Sequence, residues 1–126
     1  MIGYVTLGTN DFAKAAAFYD ALLGTLGAGR AMEIDDRFIG WATGPGAPMV
    51  GIIKPFDGKD ATVSNGGMTA LIVDSSEKVD AIYNKALELG GTCEGKPGPR
   101  GPEGSNFYAG YFRDLDGNKL NVFCMG

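Results

Sequence analysis

The sequence predicts an α+β fold: two tandem βαβββ modules forming a curved mixed sheet around a cavity, with the helices on the convex face. Three observations predict it. First, the halves superimpose at a constant offset of 64 residues: Tyr4 falls on Met68, Leu7 on Leu71, Asn10 on Asp74, Tyr19 on Tyr83, Leu23 on Leu87 and Gly27 on Gly91. So many pairs in one register, strand and helix together, mark an internal duplication rather than chance likeness between two amphipathic helices. Second, each half carries one helical pattern between strand patterns. Third, 21 glycines supply the tight turns that many short strands need. A lone half leaves one sheet face unburied, so pairing of the halves is the economical arrangement. The whole chain, 1–126, is expected to be one domain, with module 1 over about 1–60 and module 2 over about 65–126.

The elements follow in order. GYVTLGTND reads as a short strand, after which Asn10 or Asp11 can cap a helix. AKAAAFYDALLGTLGA is rich in Ala and Leu, with Phe18, Leu22 and Leu26 spaced by four residues. A strand around Arg30 to Ile34 precedes RFIGWATG and APMVGIIKPF, which the turn Gly44-Pro45-Gly46 separates. In the second half a strand ends at Asp74, and Ser75 or Ser76 can cap. The helix then carries Val79, Ile82, Tyr83, Ala86 and Leu87, and stops at Gly90-Gly91. GTCEG, NFYAGYFRD and NKLNVFCM are the remaining strands, with GKPGPRGPEGS read as a loop. Asp116-Gly117 is a hairpin signal. Beyond it Leu120, Val122 and Cys124 face the helices, while Lys119, Asn121 and Phe123 share the opposite face.

Composition removes several function classes. The net charge of −4 argues against nucleic acid. No signal-peptide pattern opens the chain, and no apolar run approaches a membrane span. Cys93 and Cys124 suit a reducing cytoplasm better than a disulfide framework. The chain has no histidine. That removes the commonest metal ligand and the commonest general base, and with them Ser-His-Asp and Cys-His catalysis.

The opening IGYVTLGTND with AAAFYDALL, the second-half strand GGMTALIV and the closing FRDLDGNKLNVF together resemble the vicinal oxygen chelate superfamily. Its members include glyoxalase I, extradiol dioxygenases and bleomycin- and fosfomycin-resistance proteins. The likeness spans essentially the whole chain, with Leu115 where the family's closing motif has Pro. It is nearest to the small glyoxalase-like bacterial proteins. The resemblance implies a divalent metal held by the first and last strands of each half. Its ligand positions fall at Tyr4, at Met68, at Asn121 and somewhere in APMVGIIKPF, where sequence does not fix the register. Neutral Tyr is a poor ligand, a thioether suits soft metals, and a single amide oxygen is weak. No metal and no cofactor is therefore expected.

The candidate ligand-binding residues are Tyr4, Met68, Arg100, Tyr108 and Asn121. Tyr4 is either a packed tyrosine or a phenol aimed into the cavity. Met68 either fills space or forms an adaptable apolar wall. Asn121 either hydrogen-bonds a ligand or pairs with Tyr4. Arg100 is either a solvated residue on a mobile loop or part of a lid that captures an anionic or carbonyl group. Among Trp41, Phe56, Phe107, Tyr108 and Tyr111, Tyr108 is the preferred cavity aromatic, and Lys54 reads as surface. The expected function is metal-free binding of a small organic molecule by a cytoplasmic homodimer, with no nucleic-acid or membrane partner. The alternatives are a glyoxalase-like lyase or isomerase using a Tyr or carboxylate for proton transfer, and a dimer with only an interaction role. Pairing of modules within a chain and swapping between chains are both open.

Overall fold

A computed structural model describes all residues 1–126. The chain divides into two compact units, Met1–Val63 and Ser64–Gly126. Each is a βαβββ module, so the α+β fold and its tandem duplication are as the sequence predicts.

In module 1, β1 (Tyr4–Gly8) leads to α1 (Phe12–Gly24), then β2 (Gly29–Ile34), β3 (Phe38–Ala42) and β4 (Met49–Ile53). The sheet order is β1-β4-β3-β2. β1 runs parallel to β4 and the other pairs are antiparallel. Asp11, not Asn10, caps α1: its carboxylate accepts from the Lys14 amide at 3.1 Å. Asn10 instead brackets Ala61, donating to its carbonyl and accepting from its amide. Ala15, Phe18, Tyr19, Leu22 and Leu23 are the buried stripe of α1. They bury against the sheet face that strand pairing assembles from Leu7, Ile39, Trp41 and Ile52. Asp20 ties helix to sheet, accepting from Trp41 Nε1 at 2.9 Å and from Arg30 at 2.9 and 2.7 Å.

In module 2, β5 (Thr69–Ile72) leads to α2 (Ser76–Glu88), then β6 (Thr92–Arg100), β7 (Phe107–Arg113) and β8 (Lys119–Met125). The order, β5-β8-β7-β6, repeats that of module 1. Ser75 caps α2. Val79, Ile82, Tyr83 and Ala86 are buried over Leu71, Phe112, Leu120 and Val122. The β7–β8 turn is built on buried Asp114, whose carboxylate accepts from the amides of Asp116 and Asn118 and from Asn118 Nδ2, each at 2.9 Å. Gly117 takes φ +88°, which favours glycine there.

One segment differs from the sequence reading. GKPGPR is not loop: β6 runs on to Arg100, leaving a short turn before β7. Pro97 and Pro99 argue against a central strand, but β6 is the sheet edge, and its pairing with β7 is bulged on both sides of Gly95. An edge strand with bulges accommodates residues that cannot donate to the ladder.

Candidate functional site

Each sheet has a second face, turned away from its own helix. In module 1 the alternation places Tyr4 and Thr6 of β1, Met49, Gly51 and Ile53 of β4, Phe38 and Gly40 of β3, and Met32 and Ile34 of β2 on that face. In module 2 it places Met68, Ala70 and Ile72 with Lys119, Asn121, Phe123 and Met125 of β8, and with Phe107, Ala109, Tyr111 and Arg113 of β7. These faces carry large apolar side chains that their own modules leave exposed: Tyr4, Met32, Ile34, Met68, Ile72 and Met125.

Strand register aligns the two faces residue by residue. Thr6 pairs with Gly51, and Gly51 with Gly40. In module 2, Ala70 pairs with Asn121, and Asn121 with Tyr111. Thr6 and Ala70 are 64 residues apart, the repeat offset. Gly51 therefore occupies in module 1 the position of Asn121 in module 2, which fixes the register that sequence left open. Gly40 likewise corresponds to Tyr111. Phe38, paired with Ile53, corresponds to Ala109, paired with Phe123.

The two faces consequently differ in chemistry. In module 1 the Phe38 ring lies across both glycines: a Cβ added at Gly51 would meet it at 2.5 Å, and one at Gly40 at 3.2 Å. Tyr4 packs edge-on to the same ring at 6.2 Å. Tyr4 is 60% exposed, so it is not a buried tyrosine. In module 2 small Ala109 leaves that place to Asn121 and Tyr111. Asn121 is 2% exposed, and its Oδ1 has no hydrogen-bond partner. Across from it, the Tyr111 ring has Arg100 Cζ at 5.6 Å and Lys119 Nζ at 5.7 Å from its centroid. Phe107 and Phe123 stack beyond at 5.3 Å.

Arg100 is on this face, but not as part of a lid. It ends β6, and its guanidinium lies over Gly95 and Gly98, donating to the carbonyls of Lys96 and Pro99. Arg113 is spoken for: its Nε donates to Glu94 at 2.7 Å and its Nη1 to the Gly117 carbonyl. That guanidinium holds the Glu94 carboxyl below its usual value, with a smaller contribution from Lys119. No carboxylate forms an ion pair with Lys119 or Arg100.

Tyr108 lies on the opposite side of the sheet. It pairs with Cys124, on the helix side of the sheet, and its hydroxyl donates to Asp80 of α2 at 2.7 Å. That carboxylate holds the phenol proton and raises its pKa. Tyr108 opens on a cleft of about 680 Å³ between the α2 N-terminus and the 101–106 turn. Asp74, Glu77 and Glu103 line that cleft, and Ser75 already caps the helix there. Burial, with Cys93 alongside, pushes Tyr83 up to about 12. Neither phenol is suited to act as a base near neutral pH. Trp41 is core, and Phe56 is exposed beneath the Arg37 guanidinium. Of the five candidates, Met68, Arg100 and Asn121 share the module 2 face, Tyr4 is on the equivalent face of module 1, and Tyr108 is on neither. The sequence set Lys119 on the Asn121 face and Tyr111 among the aromatics without making either a binding candidate, and it did not single out Phe38. Counting back from the Asp114 turn, Arg113 opposite Lys119 sets Tyr111 opposite Asn121, so the hairpin held that signal.

The model of the Glyoxalase/Bleomycin resistance protein/Dioxygenase superfamily matches residues 1–122. No curated protein matches the chain. Among solved structures, a glyoxalase/bleomycin resistance protein from Albidiferax ferrireducens T118 is 37% identical with a TM-score of 0.87, over 98% of both chains. Hypothetical protein SA1046 from S. aureus is 28% identical with a TM-score of 0.73, over 96% of this chain and 91% of its own. A lactoylglutathione lyase from Agrobacterium tumefaciens shares the fold at 21% identity and a TM-score of 0.71, over 98% of this chain and 92% of its own.

Proposed function

The chain belongs to the glyoxalase/bleomycin resistance protein/dioxygenase superfamily, and on that premise we propose that it binds a small organic molecule on its non-helix sheet faces without the divalent metal typical of the family. The observation that carries the reading is the quartet at the family's ligand positions: Tyr4, Gly51, Met68 and Asn121. Its donor set does not fit a hard or borderline divalent ion. It offers a neutral phenol, no side chain, a thioether and one amide, with no thiolate, imidazole or carboxylate among them. At Gly51 the Phe38 ring occupies the space into which a ligating side chain would project. No step of a metal-dependent lyase or dioxygenase mechanism is therefore carried to this chain.

What remains suits recognition: exposed apolar side chains, aromatic rings and a few polar groups, the usual makings of a small-molecule site. The exposed apolar residues on these faces support a homodimer. Both cysteines are free, which agrees with a reducing cytoplasm. No helix is long and apolar enough to cross a membrane. The test is a thermal-shift screen of small aromatic and dicarbonyl compounds, run in excess chelator. Stabilisation by a hit, unchanged when Ni²⁺ or Zn²⁺ replaces the chelator, supports the reading. Hits that appear only with metal contradict it.

A further inference from the structure

We infer that the ligand is a small organic anion that also carries an N–H or O–H donor, and that the module 2 face recognises it. This rests on the binding reading above and names its ligand class. Three features of that face converge. Asn121 is 2% exposed and its Oδ1 has no partner, and the group that satisfies an acceptor is a donor. Lys119 and Arg100 bracket the Tyr111 ring, and neither forms an ion pair. Arg113, the third cation there, is already neutralised by Glu94. A flat body fits against Tyr111, which stands directly opposite Asn121.

Spacing adds a dimension. Lys119 and Asn121 are two residues apart on one strand face, so their side chains leave the sheet about 6.6 Å from each other. The anionic group and the donor therefore belong at opposite ends of a molecule about one aromatic ring long. Module 1 offers no competing site, because Gly40, Gly51 and the Phe38 ring present no side-chain polar group at the equivalent positions. Recognition is one-sided within a duplicated fold: the first module's face is filled by its own phenylalanine, and the second module's face reads the ligand.

The test is calorimetric titration of the full chain with 4-aminobenzoate, benzoate and 4-aminobenzamide, which separate the charge from the donor. 4-Aminobenzoate is expected to bind about tenfold more tightly than either of the others, the size of one charge-assisted hydrogen bond. Lys119→Met is expected to abolish the preference for carboxylate over carboxamide. Asn121→Leu is expected to abolish the preference for 4-aminobenzoate over benzoate. Unfolding midpoints near wild type establish that both variants fold. Equal affinity for 4-aminobenzoate and 4-aminobenzamide, or a preference that survives Lys119→Met, overturns the anion assignment. Equal affinity for 4-aminobenzoate and benzoate overturns the donor assignment. Absence of binding by all three overturns the inference, and uncharged hits in the thermal-shift screen then leave the binding reading standing by itself.

Discussion

Asn121 carries an acceptor oxygen that is buried and unbonded, and leaving such a group unsatisfied costs about 1–3 kcal/mol. A core position that served packing alone would not keep it. Asn121→Leu removes the orphan, so the variant is expected to be more stable than wild type by about 1 kcal/mol while losing the preference for 4-aminobenzoate over benzoate. Urea unfolding without ligand checks the first half of that statement. The partner position gives the opposite sign. A Cβ at Gly51 would meet Phe38 Cε1 at 2.5 Å, so Gly51→Ala is expected to destabilise by about 1–3 kcal/mol through overpacking. Phe38→Leu in the Gly51→Ala background removes the clashing ring atoms. A double-mutant cycle is expected to show a coupling of at least about 0.5 kcal/mol between the two sites. Additive effects would mean that the ring does not occupy that space. Asn121 was legible in the sequence because alternation after the Asp116-Gly117 turn fixes its face. The contrast between Gly51 and Asn121 was not, because only strand pairing sets one opposite the other.

At the scale of elements, most of the order was legible, since each helix has its own apolar period, cap and stop. β6 was not. Its Gly and Pro residues carry the local signature of a loop, while the edge position and bulges that let them pair with β7 are properties of the sheet. The face of Tyr108 was not legible for a related reason: it depends on which β8 residue Tyr108 opposes, and that residue is Cys124. The junction of α1 with β2 and β3 makes a pH prediction. Hydrogen bonds from Arg30, then from Trp41, hold the Asp20 carboxyl below its usual value against the opposing effect of burial. A depressed carboxyl contributes stability that is fully present above its unfolded value near 3.8 and is lost as pH falls through the lower folded value. Asp20 is partly exposed, so the contribution is modest. Wild type is expected to lose more stability than Asp20→Asn between about pH 5 and pH 2. Parallel slopes of urea midpoint against pH for the two proteins would contradict this.

At the scale of the whole molecule, duplication supplies two equivalent faces, and their side chains differ in chemistry. The repeat offset already paired Tyr4 with Met68 in the sequence, and strand register adds the pair of Gly51 with Asn121. The resemblance sets these four residues at the family's metal positions, and the proposed function makes recognition the property of this chain's own side chains. The most direct test is metal analysis of the purified full chain after incubation with Ni²⁺, Zn²⁺ and Mn²⁺ and removal of unbound ion. Metal far below one ion per chain is expected for all three. One ion retained per chain, and lost on Asn121→Leu, would contradict it.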